Sequence, residues 1–279
     1  MNCGTALKER FMIDAAGKGL AKRRTVCAFL LSAWVSGSTL ALAQEIKTMR
    51  VGFLKRYLPY SFEAENGKLQ GFDVDVVEVV LNSLGIQMVA VPDLMPRLQE
   101  MLAKGEIDFI GNQLLHTPEN RRLFDFVSPY ASVQLVTVQH ASDDRDFYSL
   151  DDMVGQKLGV LANSGVADQA VGALGRSVKT FEKIDQAFKA LAAKEIDVVL
   201  EENLIAEYYI EHNGLPLRVG VPMTAPMRVG LAVSKGQKHR QEQLSAAVKN
   251  VLKDRAFKRV STKWFGYDVS RPRVAHASS

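Results

Sequence analysis

The chain has 279 residues, with 35 basic against 31 acidic side chains and a net charge of +4. Six of the basic and two of the acidic residues fall within residues 1–43, so the remainder balances to zero and lacks the basic excess that nucleic-acid binding requires. Both cysteines, Cys3 and Cys27, lie in that same segment, which excludes disulfides and a cysteine nucleophile from residues 44–279.

The N-terminal segment reads as a secretory signal peptide, residues 1–43. Lys22-Arg23-Arg24 is a basic flank, Thr25 to Leu42 is largely apolar, and Ala41-Leu42-Ala43 is an A-x-A cleavage pattern. Ser32, Ser36, Gly37, Ser38 and Thr39 interrupt the run, against a retained span of ~20 apolar residues. Met12 is an alternative start, and Cys27 lies too early in the run to carry a lipid anchor.

Met49 to Leu54 then reads as a buried strand and Lys55 to Phe62 as a loop carrying Tyr57 and Tyr60. Val77, Val80, Leu81 and Leu84 recur at helical spacing, with Asp73 as the expected N-cap and Gly85 as the stop. Ile86 to Val91 is a second strand. Leu94, Leu98, Met101 and Leu102 form a helical face stopped by Gly105, and Ile107 to Ile110 is a third strand. Thr117-Pro118-Glu119 is a helix start with cap, N1 proline and an acid in the first turn. Leu135 to Val138 reads as a first crossover. A second series follows: a short helix capped by Ser149, a strand at Leu158–Leu161, a turn at Asn163-Ser164-Gly165 into a helix, a strand at Val178–Phe181, a helix capped by Asp185, and a strand at Ile196–Leu200. Val229 to Val233 is the expected return crossover, and Leu244, Val248, Val251 and Leu252 mark a long last helix. The tail after Asp268 is polar and expected to be disordered.

Two stretches echo each other. Leu98 to Ile110 followed by Gly111-Asn112-Gln113, and Phe188 to Leu200 followed by Glu201-Glu202-Asn203, each read as amphipathic helix, tight turn, short strand and polar cluster. Parallel strands of open α/β sheets present ligand groups at their carboxyl ends. One such unit per half suggests two similar lobes whose polar strand ends face one cleft, although the junction A-K-x-I-D is also a common α/β connection.

Four blocks in register resemble the family 3 extracellular solute-binding proteins, the polar amino-acid receptors of ABC importers. They are Arg50-Val51-Gly52 with Tyr57, Pro59 and Tyr60; Gly71-Phe72-Asp73-Val74-Asp75-Val76; Ile107-Asp108 through Thr117-Pro118-Glu119 to Phe124-Asp125-Phe126 and Ser128-Pro129-Tyr130; and Lys263-Trp264-Phe265-Gly266. The resemblance spans residues 46 to 267. It implies an α/β, two-lobe periplasmic-binding-protein-like fold (type II), with two crossover strands, near Val133–Val138 and Thr224–Val229, forming a hinge. Lobe 1 would comprise residues 46–135 plus 228–279, and lobe 2 residues 136–227.

The resemblance also implies roles for individual residues. Tyr57 takes the position of an aromatic ring that stacks on the ligand, and Tyr60 that of wall or core. Asn112 and Gln113 take the places of hydroxyl and backbone groups that orient it, while Leu115 replaces a further hydroxyl. The family's carboxylate-gripping arginine falls on Asn120 here. Arg121 and Arg122 follow, but adjacent helical residues point about 100° apart, so either reaches a cleft only if the helix start shifts; Arg56 is another anion contact. Ser164 stands in a turn where the family has two threonines. Glu202 aligns with the carboxylate that accepts the ligand ammonium, and Glu201, its strand neighbour, should point the other way.

A small polar solute, an amino acid or related amine, is therefore the expected ligand, with an inner-membrane ABC permease as partner, no nucleic acid, no cofactor, no metal, and a monomeric, periplasmic state. A catalytic reading lacks a nucleophile motif: H-E-x-x-H and G-x-S-x-G are absent, and His116, His140, His212, His239 and His276 are scattered. Two alternatives come from the fold: an accessory or sensory binding protein with a modified site, and a dehydratase-like enzyme in which Glu202 would act as acid or base.

Overall fold

The computed structural model describes residues 47–162 and 164–271. The signal segment, Asn163 and the tail from residue 272 lie outside the described residues. In chain order the elements are β1 (Thr48–Leu54), β2 (Arg56–Tyr57), β3 (Ser61–Glu63), β4 (Leu69–Gln70), α1 (Phe72–Asn82), β5 (Gln87–Asp93), α2 (Met95–Ala103), β6 (Phe109–Leu115), α3 (Pro118–Leu123), β7 (Phe124–Phe126) and β8 (Ala131–Val133). They continue with β9 (Leu135–His140), β10 (Leu158–Leu161), α4 (Gly165–Leu174), β11 (Val178–Phe181), α5 (Ile184–Ala192), β12 (Val198–Glu202), α6 (Asn203–Asn213), β13 (Leu217–Pro222), β14 (Met227–Ser234), α7 (Lys238–Lys253) and α8 (Arg255–Phe265). Among the described residues no helix is long and apolar enough to cross a membrane.

Two main sheets result. The first runs β5-β1-β6-β14-β7, with β8 also on β14; the second runs β11-β10-β12-β9-β13; a small sheet of β2, β3 and β4 carries the aromatic loop. In each main sheet the inner strands are parallel, and one antiparallel strand, β14 or β9, returns beside them. Helices cover both faces of the first sheet, as such strands require. Phe72, Val77 and Leu81 of α1 pack with Leu244, Val248 and Phe257 of α7 and α8 on one side, and Leu98 and Leu102 of α2 pack with Ile107 and Ile110 on the other.

The chain leaves the first sheet after Val133 and enters the second at Leu135; it returns between Pro222 and Met227. Side chains brace the two passages against each other. Gln134 donates its amide to the Thr224 carbonyl (2.9 Å), and the Thr224 hydroxyl accepts the Leu135 N–H (3.0 Å). Asn203, opening α6, accepts the Gln134 N–H on its side chain and donates its own N–H to the Gln134 carbonyl, both at 2.9 Å.

The echo in the sequence has a physical origin. Helices α2 and α5 end alike: the N–H groups of Glu106 and Glu195 each reach back to the carbonyl five residues earlier, Met101 and Ala190. That closure needs a left-handed residue just before, supplied by Gly105 (φ 70°) in one half and Lys194 (φ 59°) in the other. Next, Ile107 and Ile196 lie over glycines of the neighbouring strand, where a Cβ on Gly52 or Gly159 would stand 2.6 Å from the isoleucine Cδ1. Finally, Asp108 and Asp197 accept the backbone N–H of Arg50 (2.7 Å) and Lys157 (2.8 Å), locking the register of the parallel pair.

Several expected boundaries shift. Asp73 does not cap α1: Gly71 does, at φ 146°, where a Cβ would collide with the Tyr60 carbonyl at 2.2 Å, and Asp73 is the buried second residue of the helix. Asp185 does not cap α5 either. Lys183 holds that position, and Asp185 pairs with Lys189 one turn on, at 3.2 Å. The echoed strands begin two residues later than the apolar runs and run on into their polar clusters, β6 through Gln113 to Leu115 and β12 to Glu202. Antiparallel pairing extends both ladders, Leu114 and Leu115 facing Gly230 and Val229, and Glu201 and Glu202 facing Val136 and Leu135.

Lys194 is the one non-glycine residue with positive φ among the described residues. Replacing it by glycine relieves left-handed strain and offsets the greater chain entropy of glycine, so Lys194→Gly should raise stability by about 0.5–1 kcal/mol, and Gly105→Lys lower it similarly. Urea midpoints at unchanged slope measure both.

Candidate functional site

β6 brings Asn112 and Gln113 into the middle of the first sheet, and their fates differ. Asn112 is completely buried. Its Oδ1 accepts the Leu54 N–H (2.6 Å), and its Nδ2 donates to Ser61 Oγ (2.7 Å) and Asp73 Oδ2 (3.2 Å). The amide is saturated and ties β1, β3 and α1 together. Gln113 donates its backbone N–H to Asp73 Oδ2 (2.9 Å), yet its side-chain amide is 96% buried with neither polar atom hydrogen-bonded. That amide lies beside the phenols of Tyr57 and Tyr60, near enough to favour their ionised forms slightly but without hydrogen-bond geometry.

Asp73 is the hub behind this face. Its second oxygen accepts the Tyr130 hydroxyl at 2.6 Å. Burial pushes its carboxyl up to about 7, against the pull of its Tyr130, Gln113 and Asn112 donors. In front, the Tyr57 and Tyr60 rings meet at 4.9 Å with a 57° tilt, and the Tyr60 hydroxyl donates to Glu202 Oε2 at 3.3 Å. Tyr60 belongs to the loop of the small sheet and Glu202 ends β12, so this bond joins the group around the first sheet to the second.

The Glu201 carboxylate accepts the N–H of Glu202 (2.8 Å), and its charge acts on Glu202, on Tyr57 and on Tyr209 of α6. Burial first, then the charge of Glu202, raises Glu201 to about 8; burial raises Glu202 to about 7, with the Tyr60 hydroxyl opposing. The repulsion belongs to the pair, and the two titrate together above the usual carboxylate range. Both phenols are raised well above their usual 10, by burial and then by Glu202. Among the described residues no basic side chain forms an ion pair with Asp73, Glu201 or Glu202, and no cluster of histidine, cysteine or carboxylate side chains could hold a metal ion.

The other expected residues stand apart from this cluster. Thr117 caps α3 by accepting the Asn120 N–H (3.2 Å), and Asn120 Nδ2 donates to the Leu115 carbonyl (2.9 Å), closing the helix start onto β6. Arg121 turns to His116, donating to its carbonyl at 3.3 Å with the guanidinium 5.9 Å from the Phe126 ring centroid. Burial, then Arg121 and Arg228, depress His116 to about 4. Arg56 is exposed, and strand alternation sends it away from Tyr57. Ser164 caps α4: it accepts the Ala167 N–H (3.1 Å) and donates to the Leu161 carbonyl (2.7 Å).

Sequence reading missed the roles of Asp73 and Tyr130. Asp73 sat inside a recognised block but carried the signal of a helix cap; only its burial reveals three donors converging on it.

Two open α/β sheets, joined by two braced passages and bridged by an acidic and aromatic cluster, define a two-lobed solute-binding protein. The profile of the bacterial extracellular solute-binding proteins, family 3, matches residues 49–267, and the chain belongs to that family. The L-cystine-binding protein TcyJ of Escherichia coli strain K12 is 25% identical over 229 residues, covering 82% of this chain and 86% of that one. The unliganded, open L-cystine receptor of Neisseria gonorrhoeae superposes with a TM-score of 0.68 at 26% identity, covering 82% of this chain and 96% of that one. An ancestral cationic amino-acid solute-binding protein gives 0.70 at 25% identity, covering 78% and 95%.

Removing the Asp73 carboxylate strands the Tyr130 hydroxyl, the Gln113 N–H and one Asn112 proton in the core. At 1–3 kcal/mol for each unsatisfied group, Asp73→Ala should lower stability by about 3 kcal/mol or more. Asp73→Asn, which keeps one acceptor, should cost less. Urea unfolding at pH 7 reads both.

Proposed function

We propose that this chain is the periplasmic receptor of an ABC importer, exported through a cleaved leader at residues 1–43 and working as a monomer without cofactor. It binds a small polar solute, an amino acid or related amine, between a lobe of residues 46–135 plus 228–279 and a lobe of residues 136–227, and hands it on chemically unchanged to an inner-membrane permease. The observation that supports this most directly is the Tyr60–Glu202 hydrogen bond, which sets an acidic strand end opposite the aromatic loop across the two sheets. The amino-acid and cystine receptors to which the chain is similar support the solute class.

Tyr57, Gln113 and Glu202 are the contacts in this reading: an aromatic face, an amide with free valences, and a carboxylate for the ligand's amine. Asn112, Asn120 and Ser164 hold the frame, and Arg121 stands with His116 outside the contact set. Calorimetry with the twenty amino acids and simple amines tests the proposal. Micromolar or tighter binding of an amine-bearing solute, recovered unchanged, is expected; tight binding confined to solutes without an amine would sink it.

The raised carboxyls add a stability signature. Their folded values exceed the unfolded ones, so between about pH 4.5 and 8 the native state holds more protons, and the stability of the ligand-free protein falls as pH rises. Glu202→Gln should flatten that fall and stabilise the empty protein at pH 8 by about 1 kcal/mol, allowing for the partial solvation of the group. The same variant should weaken solute binding at least tenfold. Thermal unfolding across pH together with titration of the variant checks both signs.

A further inference from the structure

The receptor reading leaves the charge of the solute open, and the site has more to say about it. Glu201 and Glu202 end one strand with two adjacent carboxyl groups. One oxygen of each is engaged, Glu201 Oε1 by the Glu202 N–H and Glu202 Oε2 by the Tyr60 hydroxyl. The other two oxygens have no hydrogen bond among the described residues and lie on side chains that are only partly buried, so a solute can reach them. Beside them stand the hydroxyl of the fully buried Tyr60, the partly buried Tyr57 and, next to both phenols, the buried Gln113 amide with an unmatched carbonyl oxygen. Acceptors therefore gather beside the Tyr57 ring, and an aromatic face attracts a cation.

Compensating charge is missing from every element packed here. The titratable groups around the pair are Tyr57 on β2, Tyr60 on the loop after it, Asp73 on α1 and Tyr209 on α6, all neutral or acidic. The nearby arginines are turned elsewhere, Arg56 to solvent and Arg121 to His116. A zwitterionic solute would bring its carboxylate to two glutamates with no base to receive it. A solute carrying only positive charge meets no such conflict.

We propose, building on the receptor reading above, that the Glu201–Glu202 pair, the Tyr57 ring and the Gln113 amide form a site for an amine of net positive charge that lacks an α-carboxylate. Two ammonium or guanidinium groups, or one extended cation, would satisfy both free carboxylate oxygens, and Gln113 Oε1 would accept a further N–H. Binding favours ionised glutamates and so tightens as pH rises from 6 to 8.5.

Matched probes separate this from ordinary amino-acid recognition. Calorimetry at pH 8 compares agmatine with arginine, cadaverine with lysine and histamine with histidine. At least one amine is expected to bind tenfold or more tightly than its amino acid, and Glu201→Gln to weaken that amine about tenfold and shrink its pH dependence while circular dichroism stays unchanged. If every amino acid binds as well as or better than its amine, or no amine binds while some amino acid does, the inference falls and the receptor reading stands. If none of these amines and none of the twenty amino acids binds, both fall. The comparison of unmodified protein across the three pairs decides the matter even if the variant misfolds.

Discussion

The carboxylate of Asp73 has no exposed surface, and three donors from two segments converge on it: the Tyr130 hydroxyl, and the Gln113 N–H and Asn112 side chain of β6. Most of the geometry near the site follows. The carboxylate fixes α1 against the middle of β6, and Asn112 extends the same network through Ser61 to Leu54 on β1. Gln113 is thereby anchored by its backbone while its side chain stays uncommitted. A buried amide with free valences is rare because it costs about 1–3 kcal/mol. It persists here because the Asp73 network stabilises the surrounding frame.

A second constraint recurs in both sheets. A helix closed by a left-handed residue, an isoleucine seated on a glycine and an aspartate clamping the neighbouring amide appear once around Gly52, Ile107 and Asp108 and again around Gly159, Ile196 and Asp197. The clamps set parallel register at one end of each sheet. Register then carries to the other end, where Gln113 and Glu202 emerge, so scaffold and site are joined by strand geometry. The brace of Gln134, Thr224 and Asn203 links the two copies where the chain passes between them, and Asn203 directly follows Glu202. A hinge displacement at Gln134 would therefore be felt at the acidic pair, as expected where a few residues absorb a lobe rotation.

The acidic pair illustrates a trade between stability and function. Two neighbouring carboxylates without a basic partner disfavour the empty folded state once charged, and the upward displacement of their titration reflects that conflict. In the proposed reading, the same tension makes the pair receptive to a cation. Arg121 shows the opposite choice: with His116 and Phe126 as neighbours, it adds to the packing of the first sheet and leaves the cluster acidic.

Much of this was legible in the linear chain. Apolar periodicity located the helices, because burial of a face imposes a spacing; the paired I-D junctions announced the two similar halves; Tyr57 and Gln113 stand in the family blocks, and Glu202 at the end of the second echoed strand. What the chain alone could not decide was which polar side chains remain free. Asn112 and Gln113 are adjacent and chemically alike, yet one is saturated and the other unmatched, since strand alternation points them at different neighbours. Asp73 reads as a cap until three distant donors close on it. Local spacing determines which elements form and which faces they bury. Hydrogen-bond saturation and uncompensated charge depend on groups far apart in sequence, and only the tertiary structure brings those together.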